Sequence, residues 1–98
     1  MAQAFNEHQV RGALSELPGW SADGVAALTM TYKFKDHVTA MGFLVRVAMV
    51  AEKMDHHPDI RIVYSTVDVR LNSHDAGGVT ERDVKLAEAI SEQAAGGQ

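Results

Sequence analysis

The chain predicts an α+β two-layer sandwich, a four-stranded antiparallel sheet with helices on one face in the order α-β-β-α-β-β-α. Three observations lead there. Helical spacing of apolar residues appears near both ends of the chain and over a long central stretch. Period-two alternation appears on either side of that central stretch, in residues 27–34 and 60–71. Strands therefore come in pairs between helices, the arrangement of a two-layer α+β fold.

In the first helix Asn6 stands as N-cap, with Gln9 three residues on to close a capping box. Phe5 and Val10 are placed as a hydrophobic staple. Val10, Ala13, Leu14 and Leu17 carry the helical period, and Pro18-Gly19 ends it. A short strand near Trp20 and a turn around Gly24 lead into the strand 27–34. There Leu28, Met30, Tyr32 and Phe34 face one way and Thr29, Thr31 and Lys33 the other. The long helix begins at Asp36 and runs to about Asp55. It is apolar nearly all round, with a narrow polar stripe at Thr39, Arg46 and Lys53. One buried face does not need so much apolar surface, so contact with a second subunit through this helix is expected.

Pro58 disfavours helical backbone at His57, so the helix should finish at or just before the histidine pair. Ile60, Ile62 and Tyr64 then alternate in even register and Val67, Val69 and Leu71 in odd register. That change of phase near Ser65 requires a turn or bulge between two strands. Tyr64 is read as a core residue. Residues 74–78 form a loop, and Thr80 caps the last helix with Asp83 at its third position and Val79 and Val84 as a second staple. Leu86, Ala87 and Ile90 are its buried face. The tail 94–98 is expected to fray.

Ninety-eight residues make one domain. Apolar residues at 46% and charged residues at 22% are ordinary for a soluble globular protein. Net charge is −4, and the nine lysines and arginines are scattered, which argues against nucleic-acid binding. The absence of cysteine removes disulfides, thiol nucleophiles and cysteine zinc sites, and fits the cytosol. No basic-then-apolar leader opens the chain, and no apolar run approaches the roughly 18 residues of a membrane span. A cytoplasmic location is therefore expected.

Of five histidines, His8 and His37 fall at helix starts and are assigned no role. His56 and His57 lie at the C-terminal end of the long helix, whose partial negative charge favours imidazolium. Adjacent residues point apart, which suits touching two parts of one ligand. Glu52 lies four residues before His56, where it would pair with or orient an imidazole. His74 comes from the loop after the last strand. Taken singly, each histidine reads as a loop residue with local hydrogen bonds. A zinc site is conceivable, but no HExxH spacing is present. The third reading is metal-free general acid–base catalysis, one neutral and one protonated histidine acting on one small molecule.

The same residues form a longer pattern. Glu52, three residues, His56-His57-Pro58, five residues, Tyr64, nine residues, His74, eight residues and Asp83 match the signature of the pterin-4a-carbinolamine dehydratases at each fixed position. Gly19-Trp20, Phe34-Lys35-Asp36, Gly42-Phe43, Arg46-Val47-Ala48 and Thr80-Glu81-Arg82-Asp83 also resemble that family. The resemblance runs from about Leu14 to Ala89. It implies dehydration of 4a-hydroxytetrahydropterins to quinonoid dihydropterin, recycling the pterin of aromatic amino-acid hydroxylases without metal or organic cofactor. It implies catalytic roles for His56 and His74, with His57 binding and orienting the pterin. It further implies orienting or substrate-binding roles for Glu52, Asp55, Pro58, Trp20 and Asp83, and a homo-oligomer, dimer or tetramer, built through helix 36–55 and a sheet edge. The non-enzymatic alternative is a protein-interaction module, a coactivator-like dimerisation cofactor or a chaperone-like partner of a hydroxylase.

Overall fold

The structure, a computed structural model, describes residues 3–95. Its elements are α1 (Glu7–Leu14), β1 (Ser21–Asp23), β2 (Ala27–Lys33), α2 (His37–Met54), β3 (Asp59–Val63), β4 (Thr66–Leu71) and α3 (Glu81–Ala95). The strands form one antiparallel sheet in the order β1-β2-β4-β3. This is the α+β arrangement expected from the periodicity.

Alternation sets the inner face of the sheet. Leu28 and Tyr32 of β2 and Val67, Val69 and Leu71 of β4 are buried. Ile60 and Ile62 of β3 stand opposite Val69 and Val67, so even positions of one strand meet odd positions of the next. The two-residue turn Tyr64-Ser65 makes that change of phase. Against this face pack Phe43, Val47 and Ala51 of α2 and Leu86, Ala87 and Ile90 of α3, in one continuous core. Tyr32, Phe34 and Phe43 form its aromatic centre, with ring centroids 4.9 to 6.3 Å apart.

The helix starts follow their caps. Asn6 and Gln9 make the reciprocal capping box of α1 at 2.9 Å each way. Asp36 Oδ1 accepts the Thr39 N–H at 2.7 Å. The Thr39 hydroxyl and N–H hold the Asp36 carboxyl below the usual carboxylate range.

Three expectations need correction. α1 stops at Leu14, before Leu17. Its last turn tightens into i→i−3 bonds from Glu16 to Ala13 and Leu17 to Leu14, because the residue before Pro18 avoids helical backbone. Tyr64 is not core. It heads the β3–β4 turn with φ 53° and its side chain is 68% exposed. The expected tail is helical at Ala94 and Ala95, with Ala94 buried. The rest of that tail, 96–98, lies outside the described residues.

Candidate functional site

The end of α2 decides where the histidines go. Asp55 takes the left-handed conformation, φ 52° and ψ 42°, which an Asx side chain tolerates better than most. Its N–H bonds Glu52 O at 3.2 Å, and the His56 N–H bonds Ala51 O at 3.1 Å. This pair of bonds is a Schellman motif, and it turns the chain sharply out of the helix. His56 is sent inward and His57 outward.

His56 is only 9% exposed, and its Nε2 lies 2.5 Å from Oδ1 of Asp83. Asp83 is fully buried in the first turn of α3. Its other oxygen, Oδ2, accepts from the Ser73 hydroxyl at 2.9 Å and from the Thr80 N–H at 2.8 Å. The hydroxyls of Ser73 and Thr80 lie 2.8 Å apart. A buried carboxylate is stable only where several donors replace water, and here three do, beside the positive end of a helix.

His57 is exposed and pairs through Nε2 with Glu52 Oε1 at 2.6 Å. The sequence placed Glu52 beside His56, four residues on. The left-handed residue at Asp55 breaks that helical spacing, so Glu52 meets His57 instead. This surface pair contributes at most about 1 kcal/mol.

His74 is exposed on the loop after β4. That loop closes on itself through a bridge between Ser73 and Gly78. A side chain at position 78 would collide with Val25 O, 2.7 Å from its Cβ, so the loop needs glycine there. Arg82 Nη2 donates to Asp75 Oδ1 at 2.5 Å, tying the loop to α3. The Arg82 guanidinium holds the Asp75 carboxyl below the usual range.

The outcome is an open cleft of about 480 Å³ between the end of α2 and this loop. His56, His57, Asp55 and Pro58 line one side, and Ser73, His74 and Asp75 the other. Asp83 stands behind His56. Trp20 does not line the cleft, contrary to expectation. Its ring is buried in the core and its indole N–H donates to Ser91 Oγ at 2.9 Å. Among the described residues, no three His, Asp or Glu side chains converge as a metal site would require.

Sequence reasoning missed Ser73 and Thr80 as parts of this site, and also Asp59 and Asn72 on its rim. The Thr80–Asp83 cap was readable from spacing. The contact of Ser73 with Asp83, ten residues apart and across a loop, had no local signal.

The family model for pterin 4 alpha carbinolamine dehydratase matches residues 3–93. A protein of Nitrobacter winogradskyi, provisionally named a pterin-4-alpha-carbinolamine dehydratase, is 55% identical over 93% of this chain and 91% of its own length. A Bradyrhizobium protein with the same provisional name is 57% identical over 97% of each chain. A structure from Brucella melitensis, described as a transcriptional coactivator/pterin dehydratase, superposes with a TM-score of 0.89 at 43% identity. It covers 94% of this chain and 99% of that one. A pterin dehydratase-like protein described as a RuBisCO assembly factor of the alpha-carboxysome shares the fold, with a TM-score of 0.66 at 20% identity over 78% of this chain and 89% of its own. On the family model and the two relatives of more than half identity, the chain belongs to the pterin 4 alpha carbinolamine dehydratase family.

Proposed function

We propose that this protein, acting in the cytoplasm, dehydrates 4a-hydroxytetrahydropterins to quinonoid dihydropterin and water by histidine general acid–base catalysis. The observation that carries this reading is the cleft itself, with imidazoles on both sides and one of them backed by a buried carboxylate. His74, exposed and free to meet ligand, protonates the departing 4a-hydroxyl. The C4a–O bond breaks as a ring nitrogen forms a double bond to C4a. His56 takes a proton from a ring N–H, so protons balance and water is the only other product. His56 and His74 exchange these roles for the opposite stereoisomer at C4a. His57, held by Glu52, orients the pterin, and Asp55 and Pro58 shape the wall beneath it. An aromatic amino-acid hydroxylase is the reaction that supplies such a substrate.

A second feature supports self-association. Val38, Met41, Val45 and Met49 repeat at three- and four-residue spacing along α2 and are exposed, Val38 at 79% and Met49 at 62%. A second copy offers the same stripe, and two-fold symmetry pairs it with itself. β3, paired only with β4, offers a sheet edge. The same stripe favours the alternative of a protein-interaction module, in which the histidines would be dispensable.

The test is to generate a 4a-hydroxytetrahydropterin with a hydroxylase and follow its loss by ultraviolet absorbance. Wild type should accelerate that loss well beyond the spontaneous rate. His56→Ala should lose about 100-fold or more while keeping its circular dichroism. No acceleration by folded wild type would remove the dehydratase reading and leave the interaction module.

A further inference from the structure

We infer that Ser73, with Thr80 behind it, is a positioning residue that holds the Asp83 carboxylate against His56 and sets His74 across the cleft from that ring. The inference rests on the dehydratase reading and deepens it. Its ground is a count of protons along the buried hydrogen bonds.

An ionised Asp83 only accepts. The Ser73 Oγ contact at 2.9 Å therefore spends the one hydroxyl proton of Ser73 on Oδ2. Ser73 and Thr80 hydroxyls, 2.8 Å apart, must then share the proton of Thr80. Thr80 Oγ1 in turn accepts the N–H of Arg82 at 3.2 Å. The chain has one direction: Arg82 N–H to Thr80, Thr80 to Ser73, Ser73 to Asp83. On the other oxygen, only a donor fits, so His56 carries its proton on Nε2. Nδ1 is left with its lone pair for the cleft, where a general base needs it.

Ser73 also belongs to the far wall. It is the residue before His74, and its backbone closes the loop by bonding Gly78. One carboxylate thus holds the ring of His56 through Oδ1 and the root of His74 through Oδ2. Ser73 borders the cleft but is 1% exposed, so its hydroxyl, spent on Asp83, acts through its neighbours.

The experiment compares wild type, Ser73→Ala, Ser73→Cys and Ser73→Thr in the ultraviolet assay, with imidazole ¹⁵N spectra of the wild type. Ser73→Ala should lower kcat about 10- to 100-fold, as expected for a misplaced catalytic group, with KM little changed. Ser73→Thr keeps the hydroxyl and should restore most of kcat. Ser73→Cys preserves volume with a weaker donor and carries the test if Ser73→Ala does not fold; it should fall between the two. The spectra should show His56 as the Nε2–H tautomer. An active wild type whose Ala and Cys variants keep full kcat overturns the positioning role and leaves the dehydratase intact. So does an Nδ1–H tautomer, or a Thr variant as slow as Ala. An inactive wild type overturns the dehydratase reading itself, and this role with it.

Discussion

Asp83 and Tyr32 are both buried polar residues, and they differ in what surrounds them. Asp83 has donors on both oxygens, from His56, Ser73 and Thr80. The Tyr32 hydroxyl has none in hydrogen-bonding geometry, although Ser91 and Trp20 lie near it, and burial raises its pKa above the ordinary value. The consequences for stability are opposite. Asp83→Ala leaves the buried donors of His56, Ser73 and Thr80 without their acceptor and should cost about 1–3 kcal/mol in urea unfolding. Tyr32→Phe removes an unsatisfied buried group and should be neutral or stabilise by about 1 kcal/mol. A Tyr32→Phe variant destabilised by more than about 1 kcal/mol would mean that the hydroxyl is satisfied, for instance by a buried water. At this scale the sequence was legible where chemistry is local. The capping box of Asn6 with Gln9 and the pairing of Thr80 with Asp83 lie within three residues of their effects, whereas the left-handed turn at Asp55 was not read. Trp20 and Ser73 were not legible, because their partners Ser91 and Asp83 come from distant chain.

The elements place the site through their ends. α2 must stop at Met54, turn through Asp55 and deliver His56 to the start of α3. Both ends of α2 depend on single aspartates. The Thr39 hydroxyl and N–H, then Lys35 and His37, hold the Asp36 carboxyl below its ordinary value of 3.8. A folded pKa below the unfolded one means stability that is present above the ordinary carboxylate range. It is lost as pH falls through the lower, folded value. Asp36→Asn keeps a good cap without the charge. Its melting temperature should therefore fall less than that of wild type between pH 5 and pH 3. Equal slopes for the two proteins would show that Asp36 titrates alike folded and unfolded. Element type and order were readable because both periods, two and near 3.6, persist over whole segments. The end of α1 and the exposure of Tyr64 were not. Alternation counts side-chain phase, and a residue at a turn keeps its phase while leaving the face.

For the whole molecule, the stripe of α2 is an apolar surface that the single chain leaves uncovered. Two of its exposed residues, Val45 and Met49, border a groove of about 570 Å³ completed by Ala48, Glu52 and Lys53. Self-association predicts that sedimentation finds a dimer or larger species, and that Val45→Glu with Met49→Glu yields a folded monomer. Wild type sedimenting as a monomer at tens of micromolar would contradict it. Glu52 lines this groove and also holds His57, so the groove and the cleft share one side chain. The exposed stripe was foreshadowed by the surplus of apolar residues in α2, part of which the packing of the single chain leaves exposed. The cleft was foreshadowed by spacing alone, since His56, His57 and His74 do line one cavity. What the three histidines do there is the central claim, and a double-mutant cycle tests it most directly. Turnover of a 4a-hydroxytetrahydropterin is measured for wild type, His56→Ala, His74→Ala and the double variant, all folded. Acid and base working in one step predict that each single loss is about 100-fold or more and that the double variant is hardly slower than either. Single variants that turn over as fast as wild type, or losses that simply multiply in the double variant, would contradict the account.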